Sequence, residues 1–229
     1  MKVLSFDTSS KALSVAVLDG ESVLAETTIN ITKNHSVSLM PVIDFLMESV
    51  GLLPQDLDRI VVAEGPGSYT GLRVAVATAK TLAYTLGIEL VGISSLYSLT
   101  DCGKSGDLLV PIIDARRQHV YVGFYRDGKA IKADTYMAFS DVLSSLKDEK
   151  HIHFVGEVDS FLKQIKTVFP TARITATLPS ATLIGRFGAQ LLPVDVEAFV
   201  PKYLKRVEAE ENWLKNHNEP ENKTYVKRV

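Results

Sequence analysis

A glycine-rich turn at residues 65–71 has the composition of a phosphate-binding loop. Its sequence is GPGSYTG; an apolar run at residues 60–63 precedes it, and a helix rich in alanine follows it. A strand, a glycine turn and a helix can bind phosphate together because the free N–H groups at a helix start favour anions. A P-loop also needs a lysine and a hydroxyl residue after its last glycine, whereas Gly71 is followed by Leu72 and Arg73. We therefore favour a structural role in positioning a partner, although Arg73 could still bind an anion or a carboxylate.

The histidines and the single cysteine form no recognisable catalytic or metal-binding set. His151 and His153 are two residues apart on a predicted strand, but no carboxylate or cysteine is spaced to join them, so we expect edge or surface histidines. His35 stands at a helix start, where a capping or interface role is favoured over catalysis. Cys102 alone excludes a disulfide framework and a cysteine-based zinc site. No Ser–His–Asp arrangement can be assembled, so a protease has no chemical basis, and we predict no catalytic and no metal-binding residues.

Composition limits the classes of protein that remain. The chain has 229 residues, of which 46% are hydrophobic and 23% are charged, and its formal net charge is -2. This length fits one large domain or two small ones, and the composition is that of a folded chain. The charge argues against a protein whose whole surface binds nucleic acid, while a local basic patch remains possible. The chain reaches Asp7 too soon for a signal peptide and has no apolar run near the ~20 residues of a membrane span, so we expect a soluble cytoplasmic protein without a membrane contact.

Apolar runs and turn signals in the first half of the chain predict the element order βββαβαβα. Asp19 and Gly20 are a hairpin signal, so the first three strands should form an antiparallel meander. Asn34 is a candidate N-cap for the first helix, and Pro41 should either kink that helix or mark its true start. The predicted strands are residues 2–7, 12–18, 21–29, 59–63 and 88–93, and the predicted helices are residues 34–50, 68–86 and 94–102.

The second half of the chain repeats this order, which indicates an internal duplication. Asp7 is followed twelve residues later by Asp19, and Asp114 is followed thirteen residues later by Asp127. The second set of predicted elements consists of strands at residues 108–113, 119–125, 129–137, 152–155 and 173–176, helices at 140–146 and 159–168, and a closing helix at 181–192.

The duplication predicts an α/β protein with two lobes. The first lobe should contain residues 1–103 together with 181–229, and the second lobe residues 104–180, with a small polar linker at the boundary. The last stretch, from residue 205 onward, is dense in charge and contains Trp213 and Leu214. A solvated tail is favoured there over a docking segment.

A duplicated βββαβαβα unit resembles the ribonuclease H-like superfamily of acetate and sugar kinases, chaperone ATPases and actin. Six segments narrow the resemblance to the TsaB (YeaZ) family, and together they reach nearly to residue 213. They are FDTSS (6–10), HSVSLMP (35–41), GPGSYTGLR (65–73), VGISSL (91–96), DARRQHVYVGFY (114–125) and PKYLKR (201–206). The resemblance implies a component of the bacterial machinery that makes N6-threonylcarbamoyladenosine in tRNA. Its partner would be TsaD, a catalytic paralogue of the same fold, in a larger assembly with the ATPase TsaE and with tRNA as the substrate of the whole.

The resemblance also bears on nucleotide and metal binding. In the superfamily the hairpin at Asp7, Thr8, Ser9 and Ser10 contacts ATP phosphates and metal, so weak nucleotide binding there remains open. Glu157 stands where the superfamily has a Gly-Gly turn, and its charge would repel a phosphate. The positions of the two histidine ligands in TsaD-like paralogues correspond to Ser95 and Leu99 in this chain, and this pair cannot hold a metal. We expect no cofactor, weak nucleotide binding or none, and no independent catalysis; the alternative is an ATP-dependent small-molecule kinase or ATPase that uses Asp7.

The first two long helices carry more apolar residues than one core-facing stripe of about three or four positions in seven requires. From the residues alone, a deeply buried core and an exposed interface are equally favoured. The resemblance implies an interface, formed with TsaD or, when the protein is alone, with a second copy. We therefore expect Ala79→Arg to abolish pairing while the chain still folds. The predicted interface residues are His35, Leu39, Val42, Ile43, Leu46, Tyr69, Arg73, Val76, Ala79, Lys80 and Ala83.

Overall fold

A computed structural model describes residues 1–30 and 35–205 and contains a mixed five-stranded sheet in the first half of the chain. The sheet order is β3-β2-β1-β4-β5. Strands β1 to β3 form the expected antiparallel meander, and β4 and β5 extend the sheet in parallel with β1. The strands are β1 (Lys2–Asp7), β2 (Ala12–Asp19), β3 (Ser22–Asn30), β4 (Arg59–Gly65) and β5 (Glu89–Ser94).

The second half of the chain builds a second sheet with the same topology. Its order is β10-β9-β6-β7-β8, with β6 to β8 antiparallel and β9 and β10 parallel to β6. These strands are β6 (Leu108–Asp114), β7 (His119–Arg126), β8 (Lys129–Ala138), β9 (Ile152–Gly156) and β10 (Arg173–Ala176). The predicted α/β fold with a duplicated unit is therefore confirmed.

Five α-helices accompany the sheets within the described residues. They are α1 (His35–Ser49), α2 (Tyr69–Leu86), α3 (Phe139–Ser145), α4 (Leu162–Val168) and α5 (Ala181–Gly188). Helix α1 runs through Pro41 without a break, while its predicted N-cap Asn34 lies outside the described residues. Helix α2 begins after Ser68, whose hydroxyl accepts a hydrogen bond from the Gly71 N–H, and ends at Gly87 in a left-handed conformation. None of these helices combines the length and apolarity needed to cross a bilayer.

Three predicted helices differ from the structure. Residues 94–102 form only a short 3₁₀ turn at Tyr97–Leu99, because side-chain hydroxyls such as that of Thr100 compete for the backbone carbonyls. The predicted helix at 159–168 likewise starts with a 3₁₀ turn before α4. The closing helix ends at Gly188, not at residue 192, because the Arg59 guanidinium binds the carbonyl groups that follow the last turn.

The core has three layers. Helices α1 and α2 cover one face of the first sheet, and α3 and α4 cover the outer face of the second sheet. Between the sheets, Ile184 of α5 shares a core with Val61 of the first sheet and Val155 of the second. Ile113, near the end of β6, belongs to the same core, and Asp7 at the end of β1 binds Ser98 in the adjacent 3₁₀ turn.

Candidate functional site

The Asp7 carboxylate, at the end of β1, is fully buried inside the first lobe. Its Oδ1 accepts a hydrogen bond of 2.7 Å from the Ser9 N–H, and its Oδ2 lies 2.7 Å from the Ser98 hydroxyl. Burial raises the pKa of Asp7, and the hydrogen bonds from Ser9 and Ser98 oppose that effect. The carboxylate is therefore part of a packed hydrogen-bond network and has no open side towards a ligand.

The glycine-rich turn packs directly against this hairpin. The Thr8 hydroxyl donates to the Gly71 carbonyl at 2.8 Å, and the Ser68 N–H donates to the Ser9 carbonyl at 2.7 Å. A Cβ atom on Gly67 would collide with the Ser9 carbonyl, and one on Gly71 would collide with that of Thr8. Close approach of the two backbones therefore explains why these positions are glycine, while the partner-positioning role of the turn stays a prediction.

The corresponding turn of the second lobe is also closed. Glu157 follows β9, and its carboxylate accepts a hydrogen bond of 2.9 Å from the Asp114 N–H at the end of β6. Burial raises the pKa of Glu157, while the Asp114 hydrogen bond and the Lys11 charge lower it. The backbone N–H that could bind a phosphate here already has a carboxylate partner. Weak nucleotide binding at Asp7, Thr8, Ser9 and Ser10 stays a prediction.

The residues at the two expected metal-ligand positions lie in the interior. Ser95 is buried, and Leu99 belongs to the core shared by the two sheets. Across residues 1–30 and 35–205, no three histidine, cysteine, aspartate or glutamate side chains are arranged to hold a metal ion.

The expectation of edge or surface histidines is wrong for His153. It lies on β9, between β6 and β10, and is buried with its Nε2 atom 2.8 Å from the Thr175 hydroxyl. Burial lowers the pKa of His153 because it disfavours the charged ring. His151 precedes the strand and is exposed. The two side chains therefore do not form a site together.

Six of the predicted interface residues are buried within the first lobe and cannot touch a partner directly. Their side chains all pack in the core between the first sheet and helices α1 and α2, which we call the outer core of the first lobe. They are Leu39, Ile43, Leu46, Val76, Ala79 and Ala83. Val42 also packs partly against that core. The physical reason is the depth of the layer, because α1 and α2 together must cover β1, β2 and β4.

Other side chains of the two helices form the surface that sequence reasoning missed. Val37 and Phe45 on α1 are 68% and 65% exposed, and Tyr84 on α2 is 71% exposed. Met40 is also exposed. On α1 these residues lie on the side away from the buried stripe. The 3.6-residue period separates two faces of the helix, but it does not say which of them meets the sheet. We define the outer face as the exposed side of α1 together with the exposed positions of α2 from Ala77 onward.

A cleft of about 530 Å³ opens beside the outer face. It lies between the C-terminal halves of α1 and α2 and the loop that follows α1. Its walls are mostly apolar and include Met40, Met47, Leu53, Pro54, Leu82 and Leu86. The cleft extends the apolar surface of the outer face towards the C-terminal end of α2.

His35, Tyr69, Arg73 and Lys80 of the predicted interface contact other parts of this chain. His35 hydrogen-bonds through Nε2 to the Ser10 carbonyl at 2.9 Å. Lys80 donates to the Glu197 carbonyl at 2.8 Å. The Arg73 Nε–H donates to the Tyr203 hydroxyl at 3.2 Å, and the Tyr69 ring centre lies 5.1 Å from that of Tyr203. These residues hold the hairpin and the C-terminal segment against α1 and α2.

Comparison with known proteins places these features in a family. Residues 22–213 match the family model described as TsaD, tRNA N6-adenosine threonylcarbamoyltransferase. The Bacillus subtilis tRNA threonylcarbamoyladenosine biosynthesis protein TsaB is 38% identical over 227 residues, which cover 94% of this chain and 99% of that protein. The Haemophilus influenzae TsaB is 33% identical over 53% of this chain and 52% of that protein.

Solved structures agree with the sequence comparison. An uncharacterized Pseudomonas aeruginosa protein with similarity to peptidase YeaZ superposes with a TM-score of 0.79 and 25% identity, covering 89% of this chain and 99% of that chain. YeaZ from Pseudomonas aeruginosa superposes with a TM-score of 0.74 and 24% identity, covering 88% and 100%. With the near-complete match to the Bacillus subtilis protein, these likenesses show that the chain belongs to the TsaB (YeaZ) family.

Proposed function

We propose that this chain is a non-catalytic subunit that dimerises with TsaD and supports formation of N6-threonylcarbamoyladenosine in tRNA. The names of its relatives support the pathway, and the match of this chain to the TsaD family model supports a common fold for the two proposed partners. The observation that carries the proposal is the outer face of α1 and α2, which leaves large apolar side chains uncovered.

The chemistry of the outer face suits a protein partner. Val37, Phe45 and Tyr84 are each more than half exposed on neighbouring helices. Aromatic and apolar side chains of this size form the centres of protein interfaces, whereas monomeric proteins rarely leave them clustered and uncovered. The exposed positions of α2 that precede Tyr84 include the small residues Ala77 and Thr81, which would let a partner helix approach closely.

The alternative, an independent kinase or ATPase, has less support. Asp7 is buried and hydrogen-bonded, and Glu157 caps the turn that would face the nucleotide. Calorimetry of the isolated chain with ATP and magnesium separates the two functions. We expect no turnover, whereas micromolar binding with turnover would establish the alternative and contradict the proposal.

The same face accounts for the other partners that we propose. An apolar surface that lacks its partner can pair with a second copy, so we expect a homodimer when the chain is alone. TsaE and tRNA would join through the complex with TsaD. Work on tRNA implies a cytoplasmic location.

Pairing can be tested at the outer face itself. Phe45→Glu and Tyr84→Glu place a charge on exposed positions, so both variants should fold and should weaken binding to TsaD at least tenfold, about 1.4 kcal/mol each. Val168→Glu is the matched control, because Val168 is an exposed valine on α4 in the other lobe. Size exclusion and calorimetry with TsaD give the readout. A double Phe45/Tyr84 variant that still pairs like the control would refute the proposed interface.

A further inference from the structure

A ridge of alternating aromatic and basic side chains runs from the start of α2 to the second sheet. On the first lobe, the Tyr69 and Tyr203 rings lie 5.1 Å apart and are 40% and 41% exposed. Arg73 stacks over Tyr69 and donates through Nε to the Tyr203 hydroxyl at 3.2 Å. Two rings and one guanidinium are therefore held together at the surface before any ligand arrives.

The C-terminal segment carries this arrangement across to the second lobe. The Lys202 N–H donates to the Glu64 carbonyl at 2.7 Å, which anchors the segment to the end of β4. Two residues beyond Tyr203, the Lys205 ammonium lies 5.3 Å from the centre of the Tyr136 ring on β8. Residues 202–205 thus connect Tyr69 at the start of α2 to the second sheet.

On the second lobe the ridge continues as a stack of rings. His119 stacks on Tyr136 with ring centres 5.1 Å apart and an interplanar angle of 16°. Tyr121 contacts the same ring at 5.6 Å. All three are half-buried, so their positions are fixed by the sheet while part of each ring remains accessible.

We propose that this ridge binds single-stranded RNA, with bases stacked on the tyrosine rings and phosphates bound by Arg73, Lys202 and Lys205. Proteins that bind single strands combine aromatic platforms with positive charge along the backbone path, and stacking tolerates any base. The inference goes beyond the proposed pairing with TsaD and does not depend on it, because it concerns the chain alone.

The carboxylates near the ridge are already engaged. Asp134, on the same strand as Tyr136, accepts hydrogen bonds from the Ser94 and Tyr125 hydroxyls at 2.5 and 3.0 Å. The half-buried Glu64 interacts electrostatically with Lys202, which reduces its repulsion of a phosphate. Basic groups therefore dominate the exposed part of the ridge.

The outer face of α1 offers a contrast that favours RNA over a protein at the ridge. Around the aliphatic Val37 and Met40, that helix exposes the carboxylates Asp44 and Glu48. At the ridge, Arg73 instead contacts both exposed tyrosines, and Lys205 lies near the half-buried ring of Tyr136. An acidic apolar face suits a protein partner and would repel RNA, whereas cations beside rings match the alternation of phosphate and base.

Fluorescence polarisation of the full chain with a labelled single-stranded oligouridine of about 12 nucleotides tests the proposal. At about 50 mM salt we expect saturable binding that is stronger than binding of duplex RNA of the same length. Tyr136→Ala and Tyr203→Ala should each weaken binding about tenfold. Tyr136→Phe and Tyr203→Phe keep the aromatic ring and should therefore retain RNA binding. Lys205→Ala should reduce the slope of log affinity against log salt by about 0.7.

Lys166→Ala is the control for Lys205→Ala, since this exposed lysine lies on α4 outside both the ridge and the outer face, and it should leave RNA binding unchanged. Absence of binding at low salt, or alanine variants that bind like the unmodified chain, would overturn the proposal. So would alanine variants that lose TsaD but keep RNA, because the ridge would then be a protein interface. Pairing with TsaD is measured separately, so the two proposals can fail independently.

Discussion

The two lobes share one topology but differ in how their helices cover the sheet. In the first lobe α1 and α2 have 15 and 18 residues, whereas α3 and α4 of the second lobe have 7 each. At 1.5 Å per residue, the longer pair spans more than twice the length of the shorter pair. The short helices suffice to close the outer core of the second lobe. The additional length in the first lobe therefore creates surface that a sheet of five strands does not require, and the outer face is part of it.

The hairpins that follow β1 and β6 differ in how deeply their aspartates are buried and in which residues bind them. Asp7 is buried and bound by Ser98 from a distant part of the chain, while Asp114 is half-buried and accepts a hydrogen bond from the Arg116 N–H within its own turn. The first hairpin is thus fixed by the fold around it. The second combines its local hydrogen bond with bonds to distant residues, such as that from the Phe139 N–H to the Gln118 carbonyl, and it exposes two arginines to solvent.

The largest expected effect separates the two faces of α2. Ala79 is fully buried in the outer core of the first lobe, so Ala79→Arg should lower the free energy of unfolding by about 4 kcal/mol or more and prevent folding. This replaces the sequence-based expectation that the variant folds and only loses TsaD. Urea denaturation and circular dichroism provide the measurement.

Ala77→Arg is the matched substitution on the exposed side of the same helix. It should change stability by no more than about 0.5 kcal/mol and should weaken pairing with TsaD. Equal destabilisation by Ala77→Arg and Ala79→Arg would show that both sides of α2 are needed for folding and that neither is available to a partner.

The two aspartates should differ in their contribution to stability. Asp7→Ala leaves the Ser9 N–H without its carboxylate acceptor in the interior, so we expect a loss of about 3 kcal/mol. Asp114→Ala breaks a hydrogen bond in a turn that water can reach and should cost about 1 kcal/mol. Denaturant midpoints at neutral pH measure both values.

Asp7→Asn is the conservative control. An amide keeps an acceptor for Ser9 and removes the charge that burial disfavours, so this variant should be at least as stable as the unmodified chain. A loss as large as that of Asp7→Ala would mean that the charge itself stabilises the hairpin.

Backbone strain in the second hairpin has a smaller effect. Arg116, Arg117 and Gln118 have φ angles of 67°, 52° and 59°, a left-handed run that side chains disfavour. Arg116→Gly relieves one such residue at some cost in chain entropy, so we expect a gain of about 0.5 kcal/mol. Gly128→Ala, at φ 75° in the next turn, is the opposite change and should destabilise by about 1 kcal/mol. Thermal melts distinguish the two signs, and a loss of stability in Arg116→Gly would contradict the strain argument.

The sequence predicted the strands well because apolar runs and turn residues are local signals. It could not predict that Ser98 binds Asp7, since 91 residues separate them and only the packing of the 3₁₀ turn brings them together. The phase of α1 was also hidden, because apolar residues occur on both faces and the period alone does not say which side meets the sheet. Burial of Leu39 and exposure of Phe45 follow from the position of β2 and β3 beneath the helix. The burial of His153 likewise depends on strand β10, which pairs with β9 in an order that the local sequence does not specify.

The smallest effect is a difference in pH dependence between the lobes. Burial raises the pKa of Asp7 in the first lobe, so the folded state binds the carboxyl proton more tightly than the unfolded state does. The protonated carboxyl therefore stabilises the fold at low pH, and this contribution is lost as pH rises from 3.8 through the pKa of the folded state. Burial lowers the pKa of His153 in the second lobe, so the unfolded state binds that proton more tightly, and stability is lost as pH falls below 6.5.

His153→Gln tests the second half of this contrast, because an amide can keep the hydrogen bond to Thr175 but does not titrate. Between about pH 7.5 and pH 5.5 the unmodified chain should lose stability, and the variant should lose about 0.5 kcal/mol less. His151→Gln, at the exposed histidine two residues away, should follow the unmodified chain. Melting temperatures across this range provide the measurement. Parallel curves for His153→Gln and the unmodified chain would show that the buried ring accepts its proton without penalty, and that water reaches it between β9 and β10.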